Sequence, residues 1–134
     1  MNRITNATFV LSLLAYGGAW AMNGDVAAPF RGAWVPAKAT CDSPLKLVID
    51  ASVVTFVNGA QRAEFRKLEQ CYSCMGRDVQ DVTLLTTEAM GDSPFSIIMD
   101  ARKKSRPTLS VALDNDKKFG ARFPLGTAAL KKCP

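Results

Sequence analysis

The chain has 134 residues, 17 lysines and arginines against 12 aspartates and glutamates, a formal net charge of +5 and no histidine. This length suits one domain with a single core. The absence of histidine removes the commonest general base near neutral pH and the commonest transition-metal ligand. Serine nucleophiles have no imidazole to serve them, and a Ser-Lys pair such as Ser105 with Lys104 would be exposed and untuned, so no complete catalytic set is visible and the chain reads as a non-enzyme.

Residues 1–21 read as a cleavable signal peptide. Arg3 supplies one positive charge, residues 7–16 form a short apolar run, and Ala19-Trp20-Ala21 is a small-x-small cleavage pattern. The run is too short to span a bilayer, and no later segment approaches the ~18–20 apolar residues that a spanning helix needs. The expected location is therefore periplasmic or secreted. Cutting the 134 residues after Ala21 leaves 113, and the loss of Arg3 lowers the net charge from +5 to +4. Residues 22–29 show no periodicity and read as a flexible lead-in to one β domain over residues 30–134.

From Phe30 onward short strand-like segments recur between turn residues. Residues 32–37 are the first; residues 45–50 place Leu45, Leu47 and Ile49 on one face with period two. Residues 52–57 are rich in β-branched and aromatic side chains and end in Asn58-Gly59, a strong hairpin signal. Residues 60–68 are read as the returning strand, although Ala60, Ala63, Leu68, Cys71, Tyr72 and Met75 would also make a helical stripe. Residues 79–88, 95–101, 108–113 and 119–123 complete eight strands, and residues 127–132 read as one helical turn. The connections are too short for parallel crossovers, so neighbours should be antiparallel. Asp114-Asn115-Asp116 lacks the glycine and distal glutamate of a calcium loop and reads as a turn. The expected fold is all-β: a small eight-stranded antiparallel β-barrel, with a β-sandwich as the alternative.

The stretch Gly32-Ala33-Trp34, with Cys41 following, resembles the Gly-x-Trp at the first strand of lipocalins and related calycin barrels. Among these it is similar to the small periplasmic metalloprotease inhibitors of Gram-negative bacteria. The resemblance implies that Gly32 and Trp34 close the barrel bottom and that Arg122, near the last expected strand, lies over the Trp34 ring. It also implies a binding protein: an inhibitor, or a lipocalin-like carrier of a small ligand.

Four cysteines, Cys41, Cys71, Cys74 and Cys133, in an exported chain imply two disulfides with three possible pairings. Pairing Cys41 with Cys71 or Cys74, and the remaining one with Cys133, closes two long loops and constrains the unfolded chain most. The alternative pairs Cys41 with Cys133 and leaves the Cys71-Tyr72-Ser73-Cys74 segment to close on itself. That segment also admits a thiol-redox or metal-handling reading, but Met75-Gly76-Arg77 downstream is a helix stop, where a redox thiol needs a helix start. No cofactor and no metal site is expected.

The densest charge is Arg102-Lys103-Lys104-Ser105-Arg106, at an expected hairpin tip. Solvated tips of this kind are ordinary; as a site, Arg102, Lys103, Lys104 and Arg106 would meet an anionic envelope component or an acidic protein face. Nucleic acid is not expected, because aromatic residues are not interleaved with the basic ones. Short strands around Trp34, Phe56, Phe65, Phe95 and Phe119 leave little interior volume, which moves function to the surface. The function expected is that of an inhibitor or immunity-type protein against a hydrolase or toxin. An acidic target fits the charge better than a basic lysozyme.

Overall fold

In a computed structural model, residues 24–76, 80–88, 90–126 and 129–134 are described. The expected signal peptide lies outside them. Among the described residues nine strands form two antiparallel sheets. Strands β1 (Gly32–Pro36), β2 (Leu45–Ile49), β3 (Val54–Asn58) and β4 (Gln61–Phe65) join the last strand, β9 (Leu130–Lys132), in the order β4-β3-β2-β1-β9. Strands β5 (Leu68–Cys71), β6 (Val82–Thr87), β7 (Ser96–Asp100) and β8 (Thr108–Ala112) form a meander in chain order.

One core lies between the sheets. Trp34, Leu47, Ile49, Val54 and Phe56 enter it from the first sheet, and Leu85, Ile97, Met99, Leu109 and Val111 from the second. Each set follows the period-two alternation of its strands. Phe56 is the hub of an aromatic cluster, with ring centroids 5.0 Å from Phe119, 5.1 Å from Phe95, 5.9 Å from Phe123 and 6.1 Å from Phe65. No strand pairing joins β4 to β5 or β8 to β9 among the described residues, so the expected closed barrel is corrected to two sheets in a sandwich-like arrangement.

Four further expectations change. Residues 60–68, read as one strand, contain β4 and run on into β5; Arg66-Lys67 carries the chain from one sheet to the other. Residues 119–123, read as a strand, belong to helix α1 (Lys117–Arg122) and its C-cap, because Asp116 accepts a 2.9 Å hydrogen bond from the Phe119 amide and starts a helical turn. The spacing of Phe119 and Phe123 then puts both on one helical face, in the core. Leu130–Lys132, expected as helical, pairs with β1 through Trp34↔Lys132, Val35↔Lys131 and Pro36↔Leu130. Residues 24–29, expected as part of a flexible lead-in, pack on the fold: Val26 is buried in the core cluster beside Phe30, and the Val26 amide donates to the Ala51 carbonyl at 2.7 Å.

The disulfides are Cys41–Cys133 and Cys71–Cys74. The expectation that favoured two long loops, from Cys41 to Cys71 or Cys74 and from the remaining one to Cys133, is thereby corrected. Pairing of β9 with β1, continued by the Cys133 amide donating to the Ala33 carbonyl at 2.8 Å, fixes Cys133 beside the first strand, and Cys41, in the connection that follows β1, reaches it with the two Cα atoms 5.8 Å apart.

Candidate functional site

The residues expected to close a barrel have other duties. Gly32 has φ of +121°, a conformation that side chains rarely adopt, and a Cβ there would lie 3.2 Å from Lys132 Cε. Trp34 is buried and its indole Nε1 donates to the Phe30 carbonyl at 2.8 Å. Arg122 ends α1, with its guanidinium 5.0 Å from the centroid of Phe123 and its Nε donating to Gln61 Oε1 at 3.3 Å, while its carbonyl accepts from Asn58 Nδ2 at 2.8 Å. Arg122 thus ties α1 to the β3–β4 hairpin, in place of the contact with the Trp34 ring that the calycin resemblance implies.

Cys41 and Cys133 are joined beside the five-stranded sheet, whereas Cys71, Cys74 and the basic cluster lie at one end of the four-stranded sheet. Strand β5 ends at Cys71, opposite Leu84 of β6; β6 begins at Val82, opposite Asp100, the last residue of β7; and Asp100 faces Thr108, the first of β8. The β5–β6 and β7–β8 connections therefore emerge from the same end. Their midlines lie two strands apart, about 10 Å at ordinary strand spacing. The first connection carries the Cys71–Cys74 disulfide, and the second carries the basic cluster.

The disulfide encloses only Tyr72 and Ser73, with the two Cα atoms 5.5 Å apart. A ring this small removes little entropy from the unfolded chain, so its main effect is local, on the shape of the loop. Tyr72 is 60% exposed and Met75 38%, and these are the large apolar side chains left in solvent among the described residues. An aromatic held by a short covalent ring loses little freedom on binding, the condition under which such a side chain becomes an interface anchor. In the sequence, Tyr72 and Met75 belong to a helical stripe. The signal that would have found Tyr72 is a tyrosine between two closely spaced cysteines.

In the second connection the basic residues divide. Arg102 is committed to Asp100: its Nε lies 3.0 Å from both carboxylate oxygens, its Nη2 lies 2.5 Å from Oδ2, and its backbone amide donates to Oδ1 at 3.0 Å. Those hydrogen bonds hold the Asp100 carboxyl below the usual carboxylate range. Lys103, Lys104 and Arg106 are exposed and have no carboxylate partner among the described residues. The turn that carries them is closed by the Arg106 amide on the Lys103 carbonyl at 2.9 Å. This end of the sheet therefore carries an exposed tyrosine and methionine on one connection and three cations on another.

Other places offer less. Two surface grooves of about 540 and 650 Å³ flank the Arg66-Lys67 crossover, but Arg66 is paired with Glu64 at 2.6 Å and Lys67 with Glu88 at 3.8 Å. Among the described residues no three cysteine, aspartate or glutamate side chains gather as a metal site would need, and no helix is long and apolar enough to cross a membrane. No protein-family model, curated protein or solved structure matches the chain.

Proposed function

We propose that this is an exported, non-enzymatic protein that binds a protein partner, as an inhibitor or immunity-type protein against a hydrolase or toxin with an acidic face. The observation that carries the reading is the shared loop end: Tyr72 on a four-residue disulfide ring, at the same end of the sheet as Lys103, Lys104 and Arg106. A rigid aromatic anchor supplies buried apolar area, and the flanking cations supply orientation and speed of encounter. The filled core weighs against a lipocalin-like carrier, since Trp34, Phe56, Phe95 and Phe123 occupy the space that a ligand would need. The Cys71–Cys74 pair weighs against a redox function, because the chain continues from Cys74 to Gly76 at φ +111° and not into a helix.

The test begins with the genes beside this one: any hydrolase or toxin encoded there is produced and titrated with the purified protein. Inhibition or binding lost on Tyr72→Ala, and slowed at low salt by Lys103→Glu with Lys104→Glu, supports the reading. A co-purified small molecule in native mass spectrometry, with no protein bound, would replace it with the carrier.

A further inference from the structure

Strand β4 is the outer edge of the five-stranded sheet, and its residues Gln61-Arg62-Ala63-Glu64-Phe65 pair only with β3 among the described strands. The hairpin that precedes it determines which backbone groups face outward. Asn58 pairs with Gln61 across the two-residue loop Gly59-Ala60, where Gly59 has φ of +59° as the first residue of a type II′ turn requires. The pair that flanks a two-residue loop is hydrogen-bonded, and such pairs alternate along an antiparallel ladder. Gln61, Ala63 and Phe65 therefore direct their N–H and C=O groups to β3, and Arg62 and Glu64 direct theirs to the free edge.

These two outward residues carry opposite charges on either side of a small one. If a second β4 lies antiparallel with Ala63 opposite Ala63, each Arg62 stands opposite a Glu64 of the other copy. That register makes both outward residues hydrogen-bonded pairs and places a cation against an anion twice. Shifting the centre to Arg62 or to Glu64 sets like charges opposite each other, which is unfavourable. Arg62 and Glu64 share one face, and within the chain Arg62 lies 3.6 Å from Glu64, so the two side chains already project together. A groove of about 650 Å³ lies at the Phe65 end of this edge, lined by Glu64 and Phe65 together with Arg66, Lys67, Thr87 and Glu88.

We infer that β4 is a self-association edge whose occupant is a second copy of this chain, paired antiparallel about a two-fold axis at Ala63. The edge charges that keep a strand from indiscriminate pairing select this partner and this register. The interface is isologous and closes at two copies. Five residues of edge make a small interface, so the dimer forms at high concentration. The inference is independent of the loop end that carries Tyr72.

Sedimentation equilibrium of the purified protein from about 10 μM to about 1 mM covers the affinities expected of so small an interface. The apparent mass should rise from one chain toward two. Arg62→Glu and Glu64→Arg each set like charges opposite each other twice and should weaken association about tenfold. The double variant R62E/E64R should restore it, and so should an equimolar mixture of the two single variants, which associate poorly alone. The Arg62 and Glu64 amides, and not that of Ala63, should gain protection from hydrogen exchange as concentration rises. A single-chain mass at the highest concentration overturns the inference, as does association that the single variants leave unchanged or that neither the double variant nor the mixture restores.

Discussion

The indole Nε1 of Trp34 donates a 2.8 Å hydrogen bond to the carbonyl oxygen of Phe30, and both residues are buried. This bond ties the segment before β1 to the strand itself, and Val26 and Phe30 fill the core beside it. Trp34→Phe leaves the Phe30 carbonyl without its donor in a buried place, at a cost of about 1–3 kcal/mol. Trp34→Ala adds a cavity and should cost about 3–5 kcal/mol. Urea unfolding followed by circular dichroism measures both, and equal losses for the two variants would show that the hydrogen bond, and not the ring volume, dominates.

The two disulfides should differ sharply in their effect on stability. Cys41–Cys133 spans a sequence separation of 92, and its loss as Cys41→Ala with Cys133→Ala should remove about 4–5 kcal/mol by the chain-entropy relation. Cys71–Cys74 spans only 3, and its loss should cost about 2 kcal/mol or less. Denaturant midpoints of the two double variants order the effects, and the reverse order would contradict this account. Under the binding function proposed above, the second variant should also weaken binding to the partner, because Tyr72 is no longer held in a disulfide ring.

Helix α1 depends on its N-cap, Asp116. Asp116→Ala removes the acceptor for the Phe119 amide and should cost about 1 kcal/mol, whereas Asp116→Asn keeps an acceptor and should be nearly silent. A thermal melt of the two variants checks this. Equal melting temperatures would mean that burial of Phe119 and Phe123 holds the helix without its cap.

Asp100 should titrate low, because its hydrogen bonds with Arg102 favour the charged form. A carboxyl whose folded value is depressed stabilises the protein above its unfolded value, and the contribution is lost as pH falls through the folded value. The contribution is slight, because the Arg102 side chain is 62% exposed and solvent screens the pair. Carboxyl-carbon NMR reads the midpoint directly: Arg102→Ala should raise it, and an unchanged midpoint would show that the backbone amide alone sets it.

Much of the strand pattern was legible in the residues themselves. The alternation of Leu45, Leu47 and Ile49 gave β2, the β-branched run before Asn58-Gly59 gave β3 and its hairpin, and the polar segment at Arg102-Lys103-Lys104 gave the turn between β7 and β8. These signals are local, since period two and turn chemistry act within a few residues. Phe119 to Phe123 misled because two phenylalanines four apart suit either period over so short a span, and the hydrogen bond from Phe119 to Asp116 decides for helix. Leu130-Lys131-Lys132 has no strand signal of its own and becomes β9 only because β1 offers it an edge. Of the candidate site, the basic cluster could be read directly and Tyr72 could not.

By itself, then, the sequence determined the β-rich class and the hairpins, which rest on neighbours along the chain, and the presence of cystines, which rests on an even cysteine count. Tertiary structure alone decided that Cys133 meets Cys41, that the strands part into two sheets and leave a free edge at β4, and that Tyr72 stands at the same end as Lys103, Lys104 and Arg106. Each of these depends on strand register between distant segments, and register comes from burying the two apolar faces together, a constraint that no short stretch of sequence carries.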